Sequence, residues 1–183
     1  MKTLIISGSP RRNGDSMMLV KELLKYLEGE VKVIQAYYDN IKPCMDCRFC
    51  WNNDGCCVKD DMQEVYKLLD EVDNVIVASP IYFSELTGGL LSFASRFQMI
   101  YARRHIRNDS EYKLKEKNGL LILTGGGDGS PDPAIARAKI LFRYMNAKLI
   151  GIVSSLQTNI IPSKDDSEAM DKLKKYTGEL NKR

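Results

Sequence analysis

The sequence has 183 residues, of which 44% are hydrophobic and 28% are charged, and its formal net charge is +3. This balance is typical of a globular protein with one sizeable core, and we expect a single domain over residues 1–183. The net charge is small and no basic stripe interleaved with aromatic residues occurs, which argues against a nucleic-acid partner. No segment reaches membrane-spanning length. The absence of a signal-peptide pattern predicts a cytoplasmic protein.

The first part of the chain predicts two strands and two helices. Thr3–Ile6 is apolar enough for the centre of a parallel sheet. Apolar residues then recur at helical spacing over Ser16–Leu27, and Gly29 ends that run. Val31–Tyr37 alternates as a second strand. A long connection with all the cysteines follows, and the next helix begins near Asp60.

The rest of the chain continues the alternation of strand and helix. Asp73–Pro80 predicts a third buried strand that ends at the proline. The later predicted elements are a helix at Leu90–Tyr101, a strand at Leu120–Leu123, a helix from Pro133 to about Ala147, a strand at Leu149–Val153 and a helix at Ser167–Leu180. This order predicts an α/β fold, a flavodoxin-like doubly wound sandwich. Its five-stranded parallel sheet would have the order 2-1-3-4-5, with helices on both faces.

The segment Ser7–Ser16, here called the phosphate loop, joins the first strand to the first helix. Its small hydroxylated residues and glycines leave backbone N–H groups free at a helix N-terminus, where anions bind. Arg11 and Arg12 add positive charge. The loop lacks both GxGxxG and GxxxxGK[ST], which argues against a dinucleotide or nucleoside triphosphate site. An ordinary strand-to-helix turn capped by Asp15 or Ser16 is the alternative.

Two further loops follow strands of the predicted sheet. The aromatic loop, Ser79–Ser84, offers a proline and two aromatic residues that suit a flat ring. The glycine loop, Thr124–Asp128, allows close approach of backbone to a ligand. Ligands of open parallel sheets bind beyond the carboxyl ends of the strands, so the three loops predict a mononucleotide with a flat ring, and FMN is the candidate. Ordinary packing of the aromatics and a flexible glycine turn are the alternatives.

These loops resemble the motifs of the NADPH-dependent FMN reductase and flavodoxin-like family, which includes the iron-sulfur flavoproteins. Gly8–Ser16 resembles the GSPR-x-x-GN[TS] motif, Ser79–Phe83 resembles SPxYF, and Cys57–Met62 resembles the segment before the family's next helix. The resemblance implies FMN as cofactor and NAD(P)H as co-substrate of an oxidoreductase that reduces a quinone, a flavin or a similar acceptor. No catalytic acid or base is implied, because the flavin N5 carries the chemistry.

The resemblance also implies two sets of cofactor-binding residues. The phosphate would be held by Ser9, Arg11, Asn13 and Ser16. Asp15 belongs to the same loop but stands where the family has asparagine, and we expect its carboxylate to turn away from the phosphate or to cap the helix. The ring would be lined by Pro80, Ile81, Tyr82 and Phe83 on one side and by Thr124, Gly125, Gly126 and Gly127 on the other.

All five cysteines lie within residues 43–58, here called the cysteine loop. Cys44, Cys47 and Cys50 have CxxCxxC spacing, with Cys56 and Cys57 close behind, and this compact spacing is used to hold a 4Fe-4S cluster. It resembles the cluster motif of iron-sulfur flavoproteins, in which alignment favours Cys57 over Cys56 as the fourth ligand. Zinc in the same thiolates, and free or redox-paired thiols, are alternatives.

The leading hypothesis is therefore an FMN-dependent NAD(P)H oxidoreductase. The alternative is an iron-sulfur flavoprotein that carries electrons from a ferredoxin-type donor, and a third interpretation is a thiol or metal sensor that retains the fold. The resemblance implies a homodimer or homotetramer in which the cysteine loop of one subunit lies near the flavin of another. The basic run Arg103–Arg107, with the single histidine His105, is interpreted as a surface patch rather than a site for an NADPH phosphate.

Overall fold

The computed structural model describes residues 1–182, in which strands and helices alternate along the chain. The strands are β1 (Lys2–Ser7), β2 (Glu30–Gln35), β3 (Asn74–Tyr82), β4 (Glu85–Leu86), β5 (Lys117–Thr124) and β6 (Ala147–Ser155). The α-helices are α1 (Asp15–Leu24), α2 (Phe49–Asn52), α3 (Met62–Glu71), α4 (Gly88–Ser95), α5 (Gln98–Tyr101), α6 (Asp132–Tyr144) and α7 (Ser167–Leu180). A π-helix at Ala102–Ile106 follows α5, and a 3-10 helix lies at Ser163–Asp165.

The parallel sheet has the order β2-β1-β3-β5-β6, which confirms the predicted doubly wound topology. Strand β4 was not predicted, and it pairs antiparallel with the end of β3. The strand order reverses between β1 and β3, whose ladder includes the pair Ile5↔Ile76. Ligands of such sheets bind at this reversal, so the topology brings the ends of β1, β3 and β5 to the expected site.

Two apolar layers cover the two faces of the sheet because successive strand residues point to opposite sides. Ile5 packs in a cluster with residues of α1 and α7, whereas its neighbours Leu4 and Ile6 pack in a second cluster with residues of α3, α4 and α6. All three side chains are at most 1% exposed. A central strand buried on both faces accounts for the unbroken apolar run at the start of the sequence.

The prediction that the third strand ends at Pro80 is wrong, because β3 continues to Tyr82. The ladder between β1 and β3 stops at Ala78, whereas the ladder between β3 and β5 continues to the pair Pro80↔Thr124. From that point β3 has a parallel neighbour on one side only. A residue without an N–H is tolerated there as it is on an edge strand.

The prediction of one continuous helix at Leu90–Tyr101 is also wrong, because two helices, α4 and α5, occupy this segment. Helix α4 ends at Ser95, where the amides of Arg96 and Phe97 donate to carbonyls three residues earlier, both at 3.0 Å. This tightening closes α4 before α5 begins. The Arg96 carbonyl accepts a hydrogen bond from the Tyr66 hydroxyl at 2.8 Å, which fixes the break against α3.

Candidate cofactor site and cysteine site

The three predicted loops meet at the carboxyl edge of the sheet. The Ser16 hydroxyl at the start of α1 lies 2.6 Å from the Thr124 hydroxyl at the end of β5, and both side chains are buried. The Gly8 amide donates to the Ala78 carbonyl of β3 at 2.7 Å, and the Thr87 hydroxyl donates to the Gly8 carbonyl at 2.7 Å. The phosphate loop is therefore fixed to the other two strands that end at this edge.

The phosphate loop is shaped by its own hydroxyl groups. The Ser9 hydroxyl donates to the Arg11 carbonyl at 2.9 Å and accepts from the Arg11 amide at 3.3 Å. The Ser7 hydroxyl donates to the Met17 sulfur at 3.0 Å. Gly14 is the N-cap of α1 and provides no side-chain cap, so the alternative of capping by Asp15 or Ser16 is wrong. Within residues 1–182 the first three amides of α1 donate to no acceptor.

Asp15 points toward the 3-10 helix at Ser163–Asp165 and toward one arginine. Its carboxylate accepts a hydrogen bond from the Ser163 amide at 3.0 Å, and its carbonyl accepts one from the Ser163 hydroxyl at 3.1 Å. The Arg11 guanidinium lies 3.6 Å from the same carboxylate. Asn13, by contrast, is exposed and accepts a hydrogen bond from Lys21 at 2.7 Å.

The aromatic loop forms a tight hairpin between β3 and β4. Tyr82 pairs with Glu85, and the two residues between them, Phe83 and Ser84, have φ of 52° and 62°. Positive φ at both central positions is the geometry of a type I′ turn, which normally uses asparagine and glycine. The Phe83 side chain is 103% exposed, and Tyr82 is 45% exposed. Strained backbone that holds an apolar ring in solvent is characteristic of a ligand-contacting segment.

A cavity of about 240 Å³ separates this hairpin from the glycine loop. Its lining includes Ile81 and Phe83 on one side and Gly125, Gly126 and Gly127 on the other, whereas Pro80 and Tyr82 do not line it. A β-carbon at Gly126 would lie 2.3 Å from Asn159 Oδ1, so a side chain there would require the Asn159 side chain to move. The Gly126 and Gly127 amides donate to no acceptor within the described part of the chain.

Two tyrosines after β2 also belong to this edge, although the sequence analysis did not select them. The Tyr38 hydroxyl donates to the Pro10 carbonyl, and the Arg12 guanidinium lies 4.3 Å from the Tyr38 ring centroid. The Tyr37 hydroxyl accepts from the Gly89 amide at 3.2 Å. The signal was available, since the carboxyl end of β2 lies at the same edge as that of β1.

The cysteine loop brings all five thiols to one small cavity of about 30 Å³. Cys47 is exposed, the other four are partly buried, and no disulfide joins them. The Cys47 and Cys57 sulfurs are 3.3 Å apart. Asp46 and Arg48 on either side of Cys47 have φ of 50° and 57°, which turns the chain sharply around this thiol. Among residues 1–182, no three His, Cys, Asp or Glu side chains are arranged around a common point as a single-ion site.

Beneath this cavity lies a buried ion pair that the sequence did not predict. Arg96 Nη1 is 2.6 Å from Asp60 Oδ2, and both side chains are 1% exposed. Burial favours the neutral acid, but hydrogen bonds from Arg96 and the amides of Lys42 and Met62 lower the pKa of Asp60 below its ordinary value. Burial also raises the pKa of the nearby Tyr66 hydroxyl. Asp60 and Arg96 therefore form a charged pair in the protein interior.

The basic run of the π-helix is partly engaged with the cysteine loop. Arg107 donates to the Asn53 carbonyl at 2.9 Å and pairs with Asp54 at 2.7 Å. Arg103 pairs with Asp109 at 2.7 Å. His105 is exposed and lies against the Tyr101 ring at 5.0 Å between centroids.

No helix within residues 1–182 is long and apolar enough to cross a membrane.

Comparisons with known proteins give both a family and a fold. The sequence profile described as NADPH-dependent FMN reductase matches residues 1–158. An iron-sulfur flavoprotein of Archaeoglobus fulgidus is 31% identical over 180 residues, which cover 94% of this chain and 75% of that protein. Another, of Methanocaldococcus jannaschii, is 35% identical over 130 residues, covering 69% of this chain and 62% of the relative.

The solved structure of an FMN-dependent NADH-azoreductase from Bacillus anthracis, in complex with FMN, has the same fold. It superposes with a TM-score of 0.66 at 14% identity, covering 99% of this chain and 100% of that one. At that identity the likeness concerns the fold alone.

Proposed function

The chain belongs to the NADPH-dependent FMN reductase family, and we propose that it is an FMN-dependent oxidoreductase that passes electrons from NAD(P)H to a quinone, a flavin or a similar acceptor. The observation that carries the proposal is the contact between the phosphate loop and the glycine loop, where the Ser16 and Thr124 hydroxyls are 2.6 Å apart. These loops, selected separately from the sequence, lie at the edge where sheets of this topology bind ligands.

The phosphate end of the site suits a dianion. The uncapped N-terminus of α1 provides free amides and the positive end of the helix dipole. In our proposal Ser16 adds a hydroxyl, Arg11 adds an exposed guanidinium, and Ser9 holds the loop in shape. Asn13, whose Oδ1 accepts a hydrogen bond from Lys21, would donate to the phosphate through its Nδ2 group. Asp15 would brace the loop against Ser163 and keep its carboxylate away from the phosphate.

The ring end of the site suits a flat heterocycle. The cavity between Ile81, Phe83 and the glycine loop is a slot with apolar side chains on one wall and backbone on the other. In our proposal Pro80 and Tyr82 support that wall through their pairing with Thr124 and Glu85. The free Gly126 and Gly127 amides would donate hydrogen bonds to the polar edge of the ring.

FMN, when bound, supplies the hydride-accepting ring that links NAD(P)H to the acceptor. The residues of this chain would bind FMN and orient it between the two loops. No side chain is assigned a proton-transfer role. Because the chain spans 62% of one relative's length and 75% of another's, substrates and partners remain part of the proposal.

The experiment is a titration of purified protein with FMN, followed by steady-state oxidation of NADPH and of NADH with a quinone acceptor. Quenching of FMN fluorescence with one equivalent bound, together with acceptor-dependent NAD(P)H oxidation, is the expected result. Failure to bind FMN after reconstitution would overturn the proposal. Binding without NAD(P)H oxidation would favour the electron-carrier function below.

We propose the iron-sulfur flavoprotein as the second candidate function, in which the cysteine loop holds a 4Fe-4S cluster and relays electrons between a ferredoxin-type donor and FMN. Five free thiols around one cavity support it, as do the names of the relatives. Thiolates are the ligands such clusters use. Cys44, Cys47 and Cys50 would be ligands, with Cys57 or Cys56 as the fourth.

Iron and sulfide analysis after anaerobic purification tests this candidate. The expected result is about four irons and four sulfides per chain, with broad visible absorption that bleaches on reduction. Cys47→Ser should abolish the cluster while FMN stays bound. Zinc in place of iron would instead support a structural metal site, and a metal-free protein with full NAD(P)H oxidation would support the reductase alone.

We include a homo-oligomer in the proposal because the cysteine loop and the phosphate loop lie at opposite ends of α4. Thr87, before α4, contacts Gly8, whereas Ser95, its last residue, accepts a hydrogen bond from the Cys44 amide at 2.9 Å. Eight residues of helix separate these ends by about 12 Å. A homodimer or homotetramer would bring the cysteine loop of one subunit toward the flavin of another, and the oligomeric state in solution checks it.

A further inference from the structure

We propose that Arg96 is the positioning residue of the cysteine site: it closes the cysteine loop at both ends and holds the Cys56 sulfur at the cavity with a hydrogen bond. The proposal deepens the second candidate function and rests on it for the readouts that involve a metal cluster. The loop closure is a property of the chain alone and can be tested without metal.

One guanidinium reaches both ends of the loop. Its Nη1 atom donates to the Lys42 carbonyl at 2.9 Å, just before the loop, and to Asp60 at 2.6 Å, just after it. Its Nη2 atom is 3.4 Å from the Val58 carbonyl. Asp60 in turn accepts from the Lys42 amide at 3.0 Å. A planar group with several donors in fixed directions can hold such a set of acceptors, and a lysine ammonium cannot.

The same guanidinium contacts one of the thiols directly. Arg96 Nη2 lies 3.4 Å from Cys56 Sγ, which lines the cavity with the other four cysteines. Arg96 itself lines that cavity and is 1% exposed. The sulfur therefore faces a positive donor that water does not screen.

Stability alone explains a buried charged pair poorly, because well-packed apolar residues of similar size are often at least as stabilising. Arg96 Nε has no hydrogen-bond partner within residues 1–182, so the side chain is not placed to satisfy all of its donors. Its other donors converge on the loop ends and on Cys56. The placement fits a group selected for its effect on the sulfur site.

The chemical consequence follows from charge. A 4Fe-4S cluster gains one negative charge on reduction, so a donor to a ligand sulfur raises its reduction potential. Arg96→Gln removes the positive charge and leaves Asp60 negative, which should lower the potential. Asp60→Asn leaves Arg96 positive and uncompensated, which should raise it. A pair that only stabilised the fold would not move the potential in opposite directions.

The test compares Arg96→Gln, Arg96→Lys and Asp60→Asn with Arg104→Gln, whose guanidinium donates to the Tyr144 carbonyl instead. Hydrogen exchange of the metal-free proteins is measured over residues 43–58. We expect exchange there to accelerate about tenfold or more in Arg96→Gln and to stay unchanged in Arg104→Gln. Equal protection in Arg96→Gln and the unaltered protein would overturn the loop closure.

After anaerobic reconstitution with iron and sulfide, midpoint potentials are read from redox titration followed by electron paramagnetic resonance. We expect a lower potential in Arg96→Gln, a higher one in Asp60→Asn and partial rescue in Arg96→Lys. Unchanged potentials, or shifts in the same direction, would overturn the role at Cys56. If Arg96→Gln does not fold, Arg96→Lys and Asp60→Asn decide the question by the same comparison.

Single serine variants of Cys56 and Cys57 complete the test. Loss of the cluster in Cys56→Ser but not in Cys57→Ser agrees with Arg96 acting on a ligand sulfur, and the reverse result would contradict it. If the unaltered protein takes up no cluster, the second candidate function fails. In that case the hydrogen-exchange result tests only whether Arg96 closes the cysteine loop.

Discussion

The Ser16 hydroxyl and the Thr124 hydroxyl lie 2.6 Å apart although 108 positions separate the two residues in the chain. Ser16 is the last residue of the phosphate loop and the second of α1, and Thr124 is the last residue of β5 and the first of the glycine loop. Their contact is possible because β1 and β5 flank β3 and run parallel to it. The pair thus joins the two halves of the proposed FMN site.

Ser16→Ala should weaken FMN binding about tenfold, because it removes one hydroxyl donor to a charged phosphate. Riboflavin, which has no phosphate, should bind equally to both proteins. Fluorescence-quenching titrations with the two flavins measure this difference. Ser167→Ala is the matched control, because Ser167 is an exposed serine at the start of α7. This substitution should change neither affinity. An equal loss for riboflavin would place Ser16 away from the phosphate.

Ser84→Gly should stabilise the protein by about 0.5–1 kcal/mol, because glycine adopts φ of 62° without the strain that serine bears. The free energy of unfolding from urea titration is the measurement. Ser92→Gly, the same change inside α4, should destabilise by a similar amount, since glycine disfavours helix. If Ser84→Gly also destabilises, the turn does not carry strain.

Asp60 should make the folded state sensitive to acid. Its pKa is lowered from 3.8 despite burial, because Arg96 and two amides stabilise the carboxylate. A carboxyl with a lowered folded pKa contributes stability that is complete above the unfolded pKa and is lost as the pH falls through the folded one. Asp60→Asn should therefore be about 3–5 kcal/mol less stable at pH 7 and should lose less stability below about pH 4.

Urea titrations between pH 7 and pH 3 measure this dependence. Asp46→Asn is the control, because the Asp46 side chain is 78% exposed and its distance to Arg48 is 3.7 Å. It should follow the profile of the unaltered protein. An Asp60→Asn profile parallel to that of the unaltered protein would show that Asp60 does not contribute to acid sensitivity.

The fold was largely predictable because its signals are local. The apolar runs of the central strands and the helix at Ser167–Leu180 follow directly from hydrophobic periodicity, and the latter matches α7 at both ends. The type I′ turn at Phe83 and Ser84 could not be predicted, because neither residue favours positive φ and the pairing of β3 with β4 imposes it.

The candidate site was predictable in its loops but not in its interior. The three loops carry motifs, and topology alone brings them together. The burial of Arg96 has no local signal, since an arginine side chain is rarely buried unless it is paired. Only the return of the cysteine loop over the end of α4 supplies the acceptors that make its burial favourable.

Asp15→Asn tests the residue that departs from the family motif. Asparagine retains an oxygen that can accept from the Ser163 amide, so the loop should keep its shape. It removes a negative charge from the phosphate loop, and FMN should bind several-fold more tightly at low ionic strength. The gain should shrink in about 0.5 M salt, because screening weakens the repulsion that the substitution removes.

Asp15→Ala loses both the charge and the acceptor, so it should gain less affinity or lose it. If Asp15→Asn instead weakens binding while Ser163 stays protected from hydrogen exchange, the carboxylate takes part in holding the ligand and does not merely brace the loop.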